Sequence, residues 1–416
     1  MVKYSRLMGG ILLVAGTTIG AAMLALPVVT GFAGFWPSIL FFVFYWIYMT
    51  FTALLLLEVN LWMGEHTNLT TMAKKTLGKT WQFLSWIIYL FLLYALTTAY
   101  IAGGGQIFLE FFEGITGKTF SHWFGALPLL LVFGFFVYQG ARSVDYVNRF
   151  LMITLAITFG LIVVILSPHT ERNLLGYYDL SALWIGVSIV STSFGFHIII
   201  PTLNDYLQRD VALIRKVIWI GGAIPLVVYC IWEFLTLGII PLEGPNGLAG
   251  GFAKGLDGAT LLSMNLGNSR LGLFTQFFSL LAIITSFLGV SLSLRDFLAD
   301  GLKIHKNRKG KLILYLLTFV PPFLITLFDH RAFINALEYA GAFGVVTLLG
   351  LFPALMVWRG RYVQNRIGPY RTPGGKVLLS IIIFISVSVI TLEIINKVGY
   401  LQDPPIIDLN QQEISS

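Results

Sequence analysis

Residues 16–27 read Gly16-Thr17-Thr18-Ile19-Gly20-Ala21-Ala22-Met23-Leu24-Ala25-Leu26-Pro27, and they lie inside the first long apolar run of the 416-residue chain. A helix that served only as a membrane anchor would have no use for two glycines, two threonines and a proline, because each backbone N–H or C=O group freed in lipid costs several kcal/mol. The pattern therefore predicts a membrane helix that is interrupted near its middle.

A second stretch repeats this order of residue types. Residues 191–201 read Ser191-Thr192-Ser193-Phe194-Gly195-Phe196-His197-Ile198-Ile199-Ile200-Pro201, so that small polar residues precede a glycine and a proline follows. Two interrupted helices at corresponding places in two halves of a membrane protein are typical of the substrate site of a secondary transporter. The alternative is that glycine and small hydroxyl residues only permit close helix packing in lipid.

The composition indicates a membrane protein and leaves few other classes. Apolar residues make up 56% of the chain and charged residues 11%, whereas soluble domains carry about 25% charged residues. The single cysteine, Cys230, excludes a disulfide within the chain and a cysteine metal site. The net charge of +7 comes from short loops, where basic residues orient a protein in the bilayer. We expect a lipid bilayer as partner, with no nucleic acid and no obligatory protein partner.

Eleven apolar runs are long enough, at about 20 residues, to cross a hydrocarbon core of about 30 Å. Alternate loops are unequal in charge, since 21 of the 27 lysine and arginine residues fall on the side of the N-terminus. This bias predicts a cytoplasmic N-terminus and an outside C-terminus. A glycine-rich loop, residues 241–268, is expected to be a lid or a solvated connector. The runs are residues 8–29, 34–61, 82–112, 123–140, 149–167, 181–204, 214–240, 270–294, 312–328, 332–357 and 376–396.

The spacing of the two interruptions predicts how the spans are organised. Gly20 and Gly195 are 175 residues apart, and each interrupted helix begins a set of five spans. Since five is odd, the second set enters the membrane from the opposite side, which gives an inverted repeat of five plus five helices with an eleventh appended. The predicted units are residues 1–168, residues 178–357, the eleventh helix at 376–396 and a polar tail at 402–416.

Two facing interruptions suit a zwitterion. Unpaired N–H groups at the start of one half-helix attract anions, and unpaired carbonyls at the end of the other attract cations. An amino acid carries both charges a few ångströms apart. Tyr100 either bonds the substrate or only packs between helices. The candidate substrate-binding residues are Gly16, Thr17, Thr18, Gly20, Ala21, Met23, Tyr100, Ser193, Phe194, Gly195 and Phe196.

Several motifs carry a family resemblance over nearly the whole chain. They are residues 14–21, 52–59, 94–101, 192–197, 285–290 and 321–341. These motifs resemble those of the hydroxy/aromatic amino acid permeases, and most closely the bacterial tyrosine permease branch. The resemblance implies a leucine-transporter-like fold of the amino acid/polyamine/organocation superfamily and a bacterial inner-membrane symporter that imports tyrosine or tryptophan with protons. Ala22, Ile198 and Ile199 depart from the family pattern of smaller residues, which is expected to narrow the pocket or shift its preference.

Two ionisable residues are candidates for proton coupling. His197 is the only histidine predicted at mid-bilayer depth, and the ordinary pKa of a histidine, about 6.5, suits a group that gains and loses a proton. Alternatively, its ring satisfies backbone groups freed by the break. Glu58 lies in the second run, where an unpaired carboxylate is costly. A bracing role, in which Glu58 accepts N–H groups released by either break, is favoured over proton carriage.

A sodium site is the competing hypothesis for coupling. Ala282, Thr285 and Ser286 share one helix face, and their oxygens together with those of Val14 and Thr17 could coordinate sodium. Hydroxyls in membrane helices more often bond their own carbonyls. Sodium-coupled symport and a serine/threonine permease of the same family therefore stay open beside proton-coupled symport.

Other classes of membrane protein fit less well. A channel would need a polar pore lining or a charged ring. An enzyme would need a motif such as HExxH, paired aspartates or cysteine ligands, and the sequence has none of these. We expect no enzyme activity, no metal site and no cofactor beyond the coupling ion.

Overall fold

The structure is a computed structural model that describes residues 2–64, 67–244, 246–267, 269–329 and 331–400. Within those ranges every regular element is a helix and no strand occurs. The all-α prediction is therefore confirmed for this part of the chain. The predicted polar tail, residues 402–416, lies outside the described residues.

The first half of the chain folds into long helices that run back and forth. A π-helical turn, Leu129–Phe133, joins α6 to α7. The α-helices are α1 (Val2–Thr18), α2 (Ala22–Thr30), α3 (Phe35–Leu61), α4 (Leu69–Thr76), α5 (Lys79–Thr116), α6 (His122–Pro128), α7 (Gly134–Gln139) and α8 (Ala141–Leu166).

The second half contains more short and irregular helices. The 3-10 turns are Ser167–His169, Leu174–Gly176, Leu180–Gly186 and His197–Ile199, and Ala340–Leu351 is π-helical. The α-helices are α9 (Val187–Ser193), α10 (Ile200–Tyr206), α11 (Val211–Leu237), α12 (Leu248–Lys254), α13 (Gly258–Asn265), α14 (Ser269–Leu302), α15 (Arg308–Phe328), α16 (Ala332–Tyr339), α17 (Phe352–Tyr362) and α18 (Gly375–Lys397).

Many of these helices can span a bilayer. Among the described residues, nine helical stretches are long and apolar enough to cross, and α1 with α2 make up a tenth. A shorter apolar helix covers Trp123–Gln139. Apolar side chains on the outward faces of the helices are largely exposed. The exposed fractions of Phe150, Val164 and Phe384 are 69%, 72% and 72%. Such faces are stable in lipid, and the prediction of a multi-pass helical membrane protein is confirmed.

The glycine-rich loop is not a solvated connector. It folds into α12 and α13, which pack against α2 and bury side chains such as Leu248, Phe252 and Leu262. Asp257 begins α13, because its carboxylate accepts the amides of Ala259 at 2.9 Å and Thr260 at 3.3 Å. The loop therefore covers α2, the second half of the interrupted first crossing.

Candidate functional site: two interrupted helices and the cavity beside them

The first interruption separates α1, which ends at Thr18, from α2, which begins at Ala22. The two helices meet at a bend of 56°. The freed amide of Ala21 donates to Oγ of Ser286 on α14 at 2.9 Å. A Cβ atom at Gly20 would lie 2.4 Å from that oxygen and 3.7 Å from the Ser286 Cβ, so glycine at this position leaves the space that the Ser286 hydroxyl occupies. Ser286 thus satisfies a backbone group that the break leaves unpaired.

The second interruption follows α9, which ends at Ser193. Residues 194–196 are not helical, and the single 3-10 turn His197–Ile199 leads into α10. The amide of Gly195 donates to the carbonyl of Thr192 at 3.2 Å, so this turn is closed by its own backbone. A Cβ atom at Gly195 would be no closer than 3.3 Å to its nearest neighbours. The second break is therefore less tightly enclosed than the first.

One hydroxyl joins the two interruptions. Oη of Tyr229, on α11, lies 2.7 Å from the carbonyl oxygen of Thr18 and 2.7 Å from that of Ser193. These two residues are the last of α1 and α9, so the hydroxyl lies where two half-helices end. A phenol has one hydrogen and donates to one carbonyl at a time. Tyr229 is fully buried, and the two breaks therefore lie side by side.

A cavity of about 330 Å³ lies against both interruptions. Its lining includes side chains of α5, α8 and α14 as well as the breaks. Ala22, Ile198 and Ile199, the three departures from the family pattern, all line it. The candidate substrate-binding residues that line it are Gly16, Thr17, Thr18, Gly20, Ala21, Tyr100 and Gly195.

The other four candidates are core residues in this arrangement. Met23, Ser193, Phe194 and Phe196 are absent from the cavity lining, and each is only 1% exposed. The ring of Phe194 packs edge-on against that of Tyr229, with centroids 5.2 Å apart. The sequence correctly predicted that these residues lie near the breaks. It did not predict that their side chains pack in the core and do not line the cavity.

A second cavity, of about 410 Å³, adjoins the first. The two cavities share Tyr89, Ile198, Ser293 and Leu349. The second one reaches the end of the bundle where α10 and α14 finish, and the carboxylates of Asp205, Asp296 and Asp300 line it. The space beside the breaks therefore continues toward the side of the N-terminus.

His197 is buried and binds a side chain of another helix. Its Nε2 lies 2.8 Å from Oγ1 of Thr52 on α3, and its Nδ1 has no hydrogen-bond partner among the described residues. The hydroxyl of Thr52 also lies 3.0 Å from the carbonyl of Met49, to which it can donate. The expectation that the ring would satisfy backbone groups freed by the break does not match these contacts.

Glu58 braces the bundle, but at a different place from the one expected. Its carboxylate forms an ion pair with Arg361, in which Nε donates to Oε1 at 2.7 Å. The amide of Thr372 donates to Oε2 at 2.8 Å. These bonds join α3 to α17 and to the segment before α18. None of these donors is an amide released at either break, so the partners of Glu58 differ from those expected.

The candidate sodium ligands come together but are already hydrogen-bonded. The hydroxyls of Thr285 and Ser286 donate to the carbonyl of Ala282 at 3.0 and 2.9 Å. The carbonyl of Val14 accepts the hydroxyl of Thr18 at 2.7 Å, and the hydroxyl of Thr17 donates to its own helix. Thr17, Thr285 and Ser286 all line the cavity.

Comparison with known proteins assigns the family. The model of the tryptophan/tyrosine permease family matches residues 3–393. The chain belongs to this family. The family resemblance expected from the motifs is thus confirmed. Because the family and the relatives are transporters, so is the expectation that the chain is not an enzyme.

The relatives are similar over their full length. The tyrosine-specific transport systems 1 and 2 of Haemophilus influenzae are 33% and 32% identical, over 95% of this chain and 98% of each relative. The tryptophan-specific transport protein of Pseudomonas aeruginosa is 32% identical over 96% of this chain and 97% of its own length. The similarity therefore extends over nearly the whole of this chain and of each relative.

Two side chains of this permease site were missed by sequence reasoning. Tyr229 is a lone tyrosine inside a crossing, and the only available signal was that a buried phenol needs a hydrogen-bond partner. Asn148 lines the cavity from α8, and its Oδ1 has no partner among the described residues. The predicted fifth span began at residue 149, whereas α8 begins at Ala141, so Asn148 was placed outside the membrane.

Proposed function

We propose that this permease is a secondary active transporter that takes up an aromatic amino acid together with a proton by alternating access. The observation that carries the proposal is the contact of both interrupted helices with the Tyr229 hydroxyl beside a cavity of about 330 Å³. The cavity volume falls within the range of about 300–1,000 Å³ for small-molecule sites. The helix ends there supply partial charges of both signs for a zwitterion.

Tyrosine or tryptophan is the proposed substrate. The family description and the printed names of the relatives support these two amino acids. Aromatic and aliphatic side chains such as Tyr100, Leu96 and Val345 line the cavity and offer surface to a ring. Serine or threonine is the alternative, favoured by the bulk of Ile198 and Ile199 in the lining.

The proposed architecture has eleven crossings in an inverted repeat of five plus five. Trp123–Gln139 is then the fourth crossing, and α18 is the eleventh. The first crossing of each half is the interrupted one, which supports this arrangement. The excess of lysine and arginine on the side of the N-terminus supports a cytoplasmic N-terminus in the bacterial inner membrane and an outside C-terminus.

Proton coupling through His197 is the first candidate mechanism. A buried imidazole beside the break with one unpaired nitrogen can accept a proton there. Glu58 is the weaker candidate, since Arg361 already compensates its charge. Sodium coupling is the second candidate, because oxygens of Thr17, Thr285 and Ser286 line one cavity.

Uptake into proteoliposomes tests the proposal. Labelled tyrosine, tryptophan, phenylalanine and serine are offered separately, with a proton gradient or a sodium gradient imposed alone. We expect saturable uptake of tyrosine or tryptophan, counterflow, and accumulation under the proton gradient. Accumulation under the sodium gradient alone would show that the coupling ion is sodium and not the proton. Uptake of serine alone would show that the substrate is serine and not an aromatic amino acid. A lack of counterflow for all four would reject the transporter.

A further inference from the structure

Glu233 is a buried carboxyl group that the proposed mechanism does not use. It lies near the far end of α11 and is fully buried. Its Oε1 lies 2.5 Å from Oγ1 of Thr30, the last residue of α2. Its Oε2 has no hydrogen-bond partner among the described residues. Among the described residues Glu233 forms no salt bridge, whereas Glu58 forms one with Arg361. An unpaired charge in such a place would be costly.

The hydrogen count around Thr30 favours a proton on this carboxyl. The hydroxyl oxygen of Thr30 lies 2.7 Å from the carbonyl of Leu26 and 2.5 Å from Glu233, but the hydroxyl has only one hydrogen. A protonated Glu233 donates to Thr30 while Thr30 donates to Leu26, and both contacts are satisfied. An ionised Glu233 would compete with Leu26 for the same hydrogen.

Among the residues that the structure describes, no compensating cation faces Glu233. Cys230 lies one turn earlier on α11. The neighbouring hydroxyl on α3 belongs to Ser38, whose oxygen lies 3.0 and 2.7 Å from the carbonyls of Thr30 and Gly34. On the elements packed against α11, the other acidic, basic and histidine residues are Lys3 and Arg6 on α1, Glu58 on α3, Arg142, Asp145 and Arg149 on α8, exposed His169, Glu171 and Arg172 beyond the end of α11, and Lys254 and Asp257 beside α12 and α13.

Glu233 is placed where its charge can act on the first break. It lies one helical turn beyond Tyr229, so both side chains share a face of α11. Tyr229 contacts the break where α1 ends, and Glu233 contacts the other end of the half-helix that follows it. The short helix α2 is therefore held at its start by Ser286 and at its end by Glu233.

We propose that Glu233 is a proton-binding site whose occupancy fixes the position of α2 and so couples the proton to movement of the first interrupted helix. One proton binds to the carboxylate to form the neutral acid, and one proton leaves when the site empties. In this arrangement the acid is sealed from both sides, so exchange occurs when α2 moves. The inference rests on the proposed proton-coupled transport.

Paired transport assays on reconstituted full-length protein test it. Counterflow of labelled tyrosine or tryptophan needs no driving ion, whereas accumulation under an imposed pH difference does. One proton per substrate can hold a concentration ratio of about tenfold for each pH unit. We expect Glu233→Gln to keep counterflow within about twofold, because glutamine is neutral and can donate to Thr30. We expect the same variant to lose accumulation entirely, because a proton bound at His197 alone would no longer be coupled to movement of α2.

The matched control is Glu110→Gln. Glu110 is a carboxyl on α5 whose oxygens are both occupied, by Gln106 and Gln276 at 2.9 and 2.8 Å. We expect this variant to accumulate substrate as the unmodified protein does. Accumulation by Glu233→Gln at the unmodified level would overturn the inference. Loss of counterflow in well-folded Glu233→Gln would overturn it too, since the carboxyl would then be needed for substrate movement itself.

Two readouts separate this inference from the proposed function. If the unmodified protein shows no accumulation under a pH difference, proton coupling fails, and Glu233 fails with it. If Glu233→Gln does not fold, the infrared band of a protonated carboxyl group tests the inference instead. We expect that band to change on substrate addition in the unmodified protein and to move in frequency in Glu233→Asp. A band that is the same in both proteins would contradict the inference.

Discussion

The two interruptions are held by different kinds of contact. The first is tied to another helix, because Ser286 accepts the amide of Ala21 and its hydroxyl occupies the space beside Gly20. The second closes on its own backbone and sends His197 to Thr52 on α3. The comparison indicates that the first break is positioned by packing against α14, whereas the second carries the ionisable group and has room to rearrange.

Alanine substitutions at Gly20 and Gly195 are expected to give the largest difference in counterflow between the two breaks. We expect Gly20→Ala to reduce counterflow by more than tenfold, since its Cβ atom would turn the Ser286 hydroxyl, 2.4 Å away, from the Ala21 amide and would also add a methyl group to the cavity lining. A Cβ atom at Gly195 would lie 3.3 Å from the carbonyl oxygen of Thr192, a close contact that a shift of a few tenths of an ångström relieves, and we expect Gly195→Ala to keep most counterflow. Both are measured in proteoliposomes at equal amounts of folded protein. Equal losses would show that the breaks are enclosed alike.

The charge of the second break is tested by His197→Gln. We expect substrate binding and counterflow to persist and accumulation driven by a pH gradient to disappear, because glutamine cannot take up a proton. Thr52→Val is the control, since it removes the hydroxyl partner 2.8 Å away and leaves the imidazole. If His197→Gln still accumulates substrate, the histidine does not couple the proton.

Tyr229→Phe removes the contact that both breaks share. We expect counterflow to fall by about tenfold, which corresponds to about 1.4 kcal/mol and lies within the range of about 1–3 kcal/mol for a buried carbonyl that loses its donor. Tyr48→Phe is the matched control, because the Tyr48 hydroxyl bonds Ser386 at 2.7 Å, away from the breaks. A similar loss in both variants would mean that the bridge over the breaks has no special role.

The smallest effect is expected from Ser286→Ala. The amide of Ala21 loses its acceptor, but the adjoining cavity can supply a water molecule, so counterflow should fall by only about two- to fivefold. Thr285→Val serves as control, since its hydroxyl bonds only its own helix at 3.0 Å. An effect on sodium-driven uptake in both variants would instead favour the sodium site.

The sequence predicted the positions of the breaks well because their signal is local. Glycine, small hydroxyl residues and a proline within a few positions are enough to locate an interruption, and the helices end at Thr18 and Ser193 as this pattern requires. The glycine-rich loop, residues 241–268, was wrongly predicted as a solvated connector because the signal for its structure is not local. Its helices α12 and α13 are stabilised by burial against α2, which local composition does not report.

Contacts between distant residues could not be predicted. Glu58 and Arg361 are 303 positions apart, and either could have paired with several other groups. Ser286 was a candidate sodium ligand, and its hydrogen bond from the Ala21 amide, 265 positions away, could not be predicted. Met23 and Phe194 lie at the breaks but face the core, because a short broken helix has too few turns for its pattern to define a face.

A test of the cavity itself needs a variant that fills it without disturbing the breaks. Gly289 on α14 lines the cavity, and a Cβ atom there would meet nothing within 4 Å. Gly160 on α8 is also free of neighbours within 4 Å, but it is exposed on the outside of the bundle. Phenylalanine at the two positions therefore adds the same side chain inside and outside the cavity.

The most direct measurement is equilibrium binding of labelled tyrosine and tryptophan to purified Gly289→Phe and Gly160→Phe. If the space beside the two interruptions holds the substrate, Gly289→Phe loses binding and Gly160→Phe binds as the unmodified protein does. Binding by Gly289→Phe at unmodified affinity would place the substrate elsewhere and contradict the account.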